Sequence, residues 1–318
     1  MNVVMIEPLG VSKEKINELA EKLVSCGHEF VYYDTRTEDT KELIERAANA
    51  EIVMLANLPF RREVIENCPK LKMISVAFTG VDHVDMDVCR EKGITVCNAA
   101  GYSTNAVAEL VYGLAISVIR NIVPCDNATR TEKTKNGLVG TELFNKKFGV
   151  VGTGAIGLRV AEIASAFGCE VLAYSRTQRT DAVEKGVKYV DLDTLLKESD
   201  IVSLHVPLNE STKNLIDEKK INLLKSSAIL INTARGPVVD NTALAKALNE
   251  GKIAGAGIDV FENEPPIESV HPLVSAKNTV LTPHVAFATE EALYIRAQIV
   301  FDNIDKWLKG KPQNVICV

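Results

Sequence analysis

One stretch constrains this chain more than any other: Gly149-Val150-Val151-Gly152-Thr153-Gly154-Ala155-Ile156-Gly157. An apolar strand runs straight into three glycines spaced G-x-G-x-x-G, and a helix-forming run of small and apolar residues follows to about Phe167. Gly152 permits the tight strand-to-helix turn, Gly154 lets backbone approach a pyrophosphate, and Gly157 lets the helix lie close to the strand. The helix start at Ala155 and Ile156 offers free N–H groups and a partial positive charge to phosphates. With a strand before it and a helix after it, the motif predicts a dinucleotide site on a Rossmann-type sheet, with an S-adenosylmethionine site or a purely structural turn as the alternatives.

The chain of 318 residues is long enough for two domains, each with its own core. Its 46% apolar and 25% charged content is that of a globular protein, and a net charge of −6 argues against nucleic acid as a partner. The N-terminus does not read as a signal peptide and no apolar run approaches membrane-spanning length, so a cytoplasmic chain without membrane contact is expected. Seven scattered cysteines (26, 68, 89, 97, 125, 169 and 317) lack any C-x-x-C spacing. They read as reduced thiols, each a small buried hydrophobe, rather than a disulfide framework or a zinc site. No His, Cys and Asp cluster has metal-ligand spacing, and no metal is expected.

Strand and helix patterns alternate along residues 1–98. Strands are predicted at 2–6, 29–33, 51–55, 73–76 and 94–97, with a helix over 12–26 capped by Ser12 and others over 41–49 and 85–92. Such alternation implies a parallel sheet covered on both faces, separate from the cofactor fold because it wholly precedes the glycines. A helix over 103–120 is apolar nearly all round, which argues burial. Residues 121–143 are polar and weakly patterned, an irregular or interface-forming connection. Further strands at 170–174, 201–205, 228–232, 253–258 and 279–281 and helices at 192–198, 218–224 and 241–249 complete a six-strand Rossmann unit. The amphipathic helix 289–308 is expected to return to the first domain. That divides the chain into a substrate domain of residues 1–98 and 289–318 and a cofactor domain of residues 99–288.

An NAD site wants an acid at the end of its second strand, to bond the ribose hydroxyls. Here that strand ends Ala173-Tyr174-Ser175-Arg176-Thr177-Gln178-Arg179, and the first acid is Asp181. Ser175, Arg176, Thr177 and Arg179 instead offer donors suited to a 2′-phosphate, favouring NADP(H) with NAD(H) as the alternative.

Three motifs follow predicted strands, where open α/β sheets place their ligands: Asn232-Thr233-Ala234-Arg235-Gly236, Gly257-Ile258-Asp259 running on to Glu264-Pro265-Pro266, and Leu281-Thr282-Pro283-His284-Val285-Ala286. With Ala106-Val107-Ala108-Glu109-Leu110, the glycine stretch and His205-Val206-Pro207-Leu208, their order and spacing span nearly the whole chain. In these features the chain resembles the D-isomer-specific 2-hydroxyacid dehydrogenases, the family of glycerate, phosphoglycerate and D-lactate dehydrogenases. The resemblance implies a doubly wound Rossmann domain plus a discontinuous flavodoxin-like α/β substrate domain. It makes His284 the general acid/base, Glu264 its carboxylate partner, and Arg235 the clamp on the substrate carboxylate. It implies cofactor contacts at Gly152, Gly154, Ala155, Ile156, His205, Val206, Pro207, Thr212, Thr233, Ala234, Asp259 and His284, with Asp259 near the nicotinamide. A homodimer is the assembly the family suggests.

The run Val76-Ala77-Phe78-Thr79-Gly80-Val81-Asp82-His83 resembles the family's substrate-carboxylate loop, with Phe78, Thr79 and Gly80 as backbone donors and His83 a secondary candidate. Phe78 stands where phosphoglycerate-type members tend to carry a basic residue. A small 2-oxo or 2-hydroxy acid of the glyoxylate or hydroxypyruvate kind is therefore expected over a phosphorylated one. Phe287 follows the histidine motif where a small residue is usual, and Leu58, Pro59 and Phe60 join it as candidates for the side-chain end of the pocket. His28 and His271 read as structural or solvated. The competing functions are a dehydrogenase-like corepressor or redox-sensing binding protein, and a phosphoglycerate dehydrogenase.

Overall fold

A computed structural model describes residues 1–263 and 266–317. The chain forms strands β1 (Asn2–Met5), β2 (Glu29–Tyr32), β3 (Ile52–Leu55), β4 (Met73–Val76), β5 (Thr95–Cys97), β6 (Lys147–Val151), β7 (Glu170–Tyr174), β8 (Lys188–Tyr189), β9 (Ile201–Leu204), β10 (Ile229–Asn232), β11 (Gly255–Ile258), β12 (Thr279–Leu281) and β13 (Val315–Cys317). They divide between two compact units, Met1–Ser103 with Ala288–Val318, and Thr104–Phe287.

The first unit holds the sheet β2-β1-β3-β4-β5, parallel throughout, with β13 antiparallel on the β5 edge. That is the flavodoxin-like strand order. β3 and β4 are buried at every residue, as the continuous apolar run Ile52-Val53-Met54-Leu55 requires of a strand covered on both faces. Helix Lys13–Ser25 starts where Ser12 accepts the Lys15 N–H at 3.4 Å. Helix Glu290–Leu308 starts where Thr289 accepts from Ala292, and it packs on β4, where the Ser75 hydroxyl donates to the Val300 carbonyl at 3.1 Å.

The second unit carries a sheet of order β8-β7-β6-β9-β10-β11-β12, all parallel. Its first six strands have the dinucleotide-binding order, the order of succession along the chain reversing between β6 and β9. Side-chain alternation sorts its core into two layers. Val151, Leu172, Leu204 and Leu230 join one cluster with Leu195, Leu196 and Leu244. Val150, Ala173, Ile229 and Ile231 join the other, with Val111, Leu114 and Ala115 of helix Thr104–Ile119 and Val160 and Ala164 of helix Ala155–Ala166.

The structure corrects several sequence expectations. The second sheet has seven strands rather than six, because β8 is a two-residue edge strand too short for any periodicity. β13 was also missed, three residues of which only Cys317 is buried. Residues 121–143 contain a helix, Ile122–Arg130, entered through Asn121 at φ +53°; its apolar Ile122 and Val123 are exposed, which hid the pattern. The cysteines are all free thiols, but only Cys68, Cys89, Cys97 and Cys317 are buried; Cys26 is exposed at the end of its helix. Burial pushes the Cys89 thiol up to about 12 and that of Cys97 to about 11, which makes them inert. Among the described residues no single helix is long and apolar enough to cross a membrane, and no group of acidic, His and Cys side chains is placed to hold a metal.

Candidate active site

The glycine turn closes β6 at the point where strand order reverses. Gly152 sits at φ +98°, and a Cβ there would lie 2.6 Å from the His205 carbonyl oxygen at the end of β9. A Cβ on Gly157 would fall 1.9 Å from the Gly152 carbonyl oxygen. The turn is therefore pinned between the neighbouring strand end and its own helix. At Gly154, by contrast, a Cβ would meet none of the described residues within 4 Å. Gly154 also caps the helix Ala155–Ala166 without a side-chain hydrogen bond, leaving the N–H groups of its first turn to other partners. Open space over an uncapped helix N-terminus is what a pyrophosphate fits.

Beyond β9, the Thr212 hydroxyl donates to the Pro207 carbonyl at 2.6 Å and accepts the Asn209 N–H at 2.9 Å, so Thr212 shapes the loop that begins at Val206 and Pro207. The half-buried His205 has Nε2 2.8 Å from the Ser203 hydroxyl. Burial pushes its pKa down to about 3, so it stays neutral. After β7, Ser175 is half-buried and Arg176, Thr177 and Arg179 are exposed. The Arg179 guanidinium is engaged: its Nε and Nη2 donate to the two Asp181 carboxylate oxygens at 3.0 and 2.8 Å.

Three neighbouring strand ends carry the candidate catalytic groups. Asn232 of β10 stands in register with Ile258 of β11, and Ile258 with Leu281 of β12. The Asn232 side chain, fully buried, accepts the Ala234 N–H at 3.0 Å and donates to the Arg235 carbonyl at 3.0 Å, folding the chain into the turn that presents Arg235. Arg235 Nη1 donates to the Ala234 carbonyl at 2.8 Å. Gly236 follows because a Cβ there would lie 2.0 Å from the carbonyl carbon and oxygen of Phe261. Thr233 Oγ1 is buried with no hydrogen-bond partner among the described residues, an orphaned polar atom that fits a site for a polar ligand.

Asp259, fully buried, braces the histidine turn. One carboxylate oxygen accepts the Thr282 hydroxyl at 2.6 Å and the Val285 N–H at 2.9 Å, and the other accepts the Ala286 N–H at 3.0 Å. Burial pushes the Asp259 carboxyl up, and these bonds together with nearby His284 offset that only in part. The His284 N–H donates to the Asp259 carbonyl at 2.8 Å, and its backbone is held at φ +56°, a left-handed conformation that a non-glycine residue seldom adopts. The Phe287 ring stands edge-on to the imidazole at 5.5 Å. Glu264 lies outside the described residues. Just before it, Glu262 bonds His271 Nε2 at 2.8 Å, and the His271 ring meets Phe261 edge-on at 5.2 Å.

In the first unit, the Phe78 carbonyl accepts the Ala99 N–H at 2.9 Å and the Thr79 carbonyl accepts from Asn98 Nδ2 at 2.7 Å. These bonds fix the loop through its oxygens, and the N–H groups of Thr79 and Gly80 have no partner among the described residues. Phe78 is buried, its ring edge-on to Tyr102 at 6.1 Å and 5.1 Å below the Arg296 guanidinium. Leu58 and Phe60 are fully buried. The His83 carbonyl accepts the Phe60 N–H at 2.9 Å.

The braces Asn232 and Thr282 and the spacer Gly236 carry no role that the motifs alone assign. Asn232 carries a local signal, an Asn two residues before a turn that its side chain can close. Thr282 carries none, because its partner is remote in the chain.

Residues 112–286 match the family model described as "D-isomer specific 2-hydroxyacid dehydrogenase, NAD binding domain". Over 314 residues the chain is 40% identical to a glyoxylate reductase of Thermococcus litoralis, covering 95% of this chain and 94% of that protein. It is 40% identical to a glycerate dehydrogenase of Methylorubrum extorquens, covering 91% and 92%. Among solved structures it resembles an acyclic imino acid reductase in complex with NADPH and D-Arg, with a TM-score of 0.89 and 33% identity over 99% of this chain and 100% of that one. The chain belongs to the D-isomer-specific 2-hydroxyacid dehydrogenase family, oxidoreductases with a nicotinamide-cofactor Rossmann domain.

Proposed function

We propose that the chain reduces a small 2-oxo acid, of the glyoxylate or hydroxypyruvate kind, to the D-2-hydroxy acid with NADP(H), NAD(H) being the alternative cofactor. The observation that carries this reading is the register of β10, β11 and β12, which sets the Arg235 turn, Asp259 and His284 on adjacent strand ends. The reduced nicotinamide supplies the hydride. Arg235 binds the substrate carboxylate through its planar fork, which lysine cannot copy, and polarises the 2-oxo group. In the first unit, the N–H groups of Thr79 and Gly80, which have no partner among the described residues, are of the kind that suits an anion. His284 donates a proton to the carbonyl oxygen as the carbonyl carbon is reduced, with Glu264 as its carboxylate partner.

Two features support the substrate class. The relatives' names include glyoxylate reductase and glycerate dehydrogenase. Phe78 offers a buried apolar ring where a phosphate would want an exposed cation. The test is turnover of NADPH and NADH against a panel of 2-oxo acids. Turnover with glyoxylate or hydroxypyruvate is expected, favouring NADPH, and no turnover with any 2-oxo acid overturns the reading. His284→Ala should lose roughly a hundredfold or more in kcat, and near-normal turnover would remove His284 from the mechanism.

A further inference from the structure

The turn after β7 carries two arginines, and the structure treats them differently. Arg176 is exposed and makes no hydrogen bond or ion pair among the described residues. Arg179 is held at two points. Its backbone N–H donates to the Tyr189 hydroxyl at 3.2 Å, and that hydroxyl donates to Thr153 Oγ1 of the glycine turn at 3.0 Å. Tyr189 lies on β8 in register with Ala173, so the edge strand ties this turn to the pyrophosphate loop through one phenol. The guanidinium, in turn, presents two parallel N–H groups to Asp181, which lies two residues on in the short helix Thr180–Glu184.

We propose that Asp181 is a specificity-determining residue for the cofactor: its carboxylate competes with the adenosine 2′-phosphate for the Arg179 guanidinium and limits discrimination in favour of NADP(H). This rests on reading the turn after β7 as a 2′-phosphate site. A carboxylate fills the same bidentate face of a guanidinium that a phosphate takes. The phosphate carries between one and a half and two negative charges at neutral pH, so it also meets like-charge repulsion from Asp181 beside its cation. With Tyr189 fixing the backbone of Arg179, the side chain can leave Asp181 only by turning about its own bonds. Asp181 does not take the place of the ribose-binding acid of an NAD site, because Ser175 stands there and both Asp181 oxygens are engaged by Arg179.

The pair is half-exposed on both sides, 48% and 54%, so its effect is that of a surface ion pair. In Asp181→Asn the affinity for NADPH should rise roughly two- to fivefold, while that for NADH stays constant. Binding is read by calorimetry on the full chain, with 2′,5′-ADP and 5′-ADP as fragments that separate the phosphate from turnover. The gain should appear in 2′,5′-ADP and not in 5′-ADP, and should shrink as ionic strength rises from about 0.05 M to about 0.5 M. An unchanged ratio between the two fragments, or an equal gain for both, overturns the proposal. Asp181→Ser should reproduce the result and guards against a folding defect in one variant. The paired Arg176→Ala and Arg179→Ala substitutions separate the two readings. If they leave 2′,5′-ADP affinity untouched, the phosphate site falls and Asp181 with it. If they weaken it but Asp181→Asn does not strengthen it, Asp181 alone falls.

Discussion

Gly236→Ala tests how closely the arginine and acid motifs are fitted to one another. The backbone of Gly236 lies outside the left-handed region, so space alone decides the outcome. The added methyl would lie 2.0 Å from the carbonyl carbon and oxygen of Phe261 and 2.5 Å from its Cα, whereas ordinary contact begins at 3.4 Å. One backbone segment must therefore move by about 1.4 Å, the difference between 3.4 and 2.0 Å. Neither can move freely. The Arg235 carbonyl is held by Asn232 Nδ2 at 3.0 Å and by the Val238 N–H at 3.2 Å, while the Asp259 N–H is tied to the Asn232 carbonyl at 2.9 Å. Forcing a methyl into such packing costs about 1–3 kcal/mol, which lowers Tm by roughly 2–12 °C in a domain of this size. Displacing a substrate-positioning side chain by an ångström costs on the order of a hundredfold in rate. Steady-state kinetics with the best 2-oxo acid should show kcat/KM down roughly a hundredfold, with cofactor affinity close to wild type because the glycine turn after β6 is untouched. An alanine variant with wild-type Tm and kcat/KM would refute the close apposition of the Arg235 turn and Phe261.

Gly154→Ala should behave in the opposite way, since its Cβ meets none of the described residues within 4 Å. Tm is expected to hold or rise slightly while dinucleotide affinity drops at least tenfold, and unchanged affinity by calorimetry would remove Gly154 from the pyrophosphate site. His205 should make stability sensitive to acid. Its pKa falls from an ordinary 6.5 to about 3 in the folded chain, so the unfolded chain alone takes up the proton between those values and stability is lost as pH drops through that window. His205→Gln should flatten Tm against pH there, and an unaltered profile would show that His205 is not the group responsible.

Much of this architecture was legible because its signals are local. The runs at β4, β7 and β12 and the helices Leu192–Glu198 and Asn241–Asn249 have the bounds that periodicity predicts. Ser12 caps its helix as its position before an amphipathic run suggests. What escaped depends on partners distant in sequence. β8 exists because its two residues pair with Leu172 and Ala173. β13 exists because Val315 and Cys317 find Cys97 and Val96 more than two hundred residues earlier. The engagement of Arg179 is a case of the same kind at short range. Composition shows two cations after a strand, but only the folded turn shows that one already holds a carboxylate.

The site itself shows why its braces are harder to read than its proposed reactive groups. Arg235 and His284 stand in motifs whose residue types advertise their chemistry. Asn232 and Asp259 are buried polar side chains whose work is to satisfy backbone N–H groups that leave the strands without continuing the sheet. A buried carboxylate is costly, and burial does push the Asp259 carboxyl up, so its place there needs a return. That return is the shape of the histidine turn. His284 sits at positive φ, a conformation of low intrinsic population, and three hydrogen bonds to Asp259 from Thr282, Val285 and Ala286 surround it on both sides in sequence. On the proposed mechanism, burial cost and backbone strain fall on the same few residues because the proton donor is to be fixed in direction before the substrate arrives, and a rigid turn at a strand end does that with no help from the substrate.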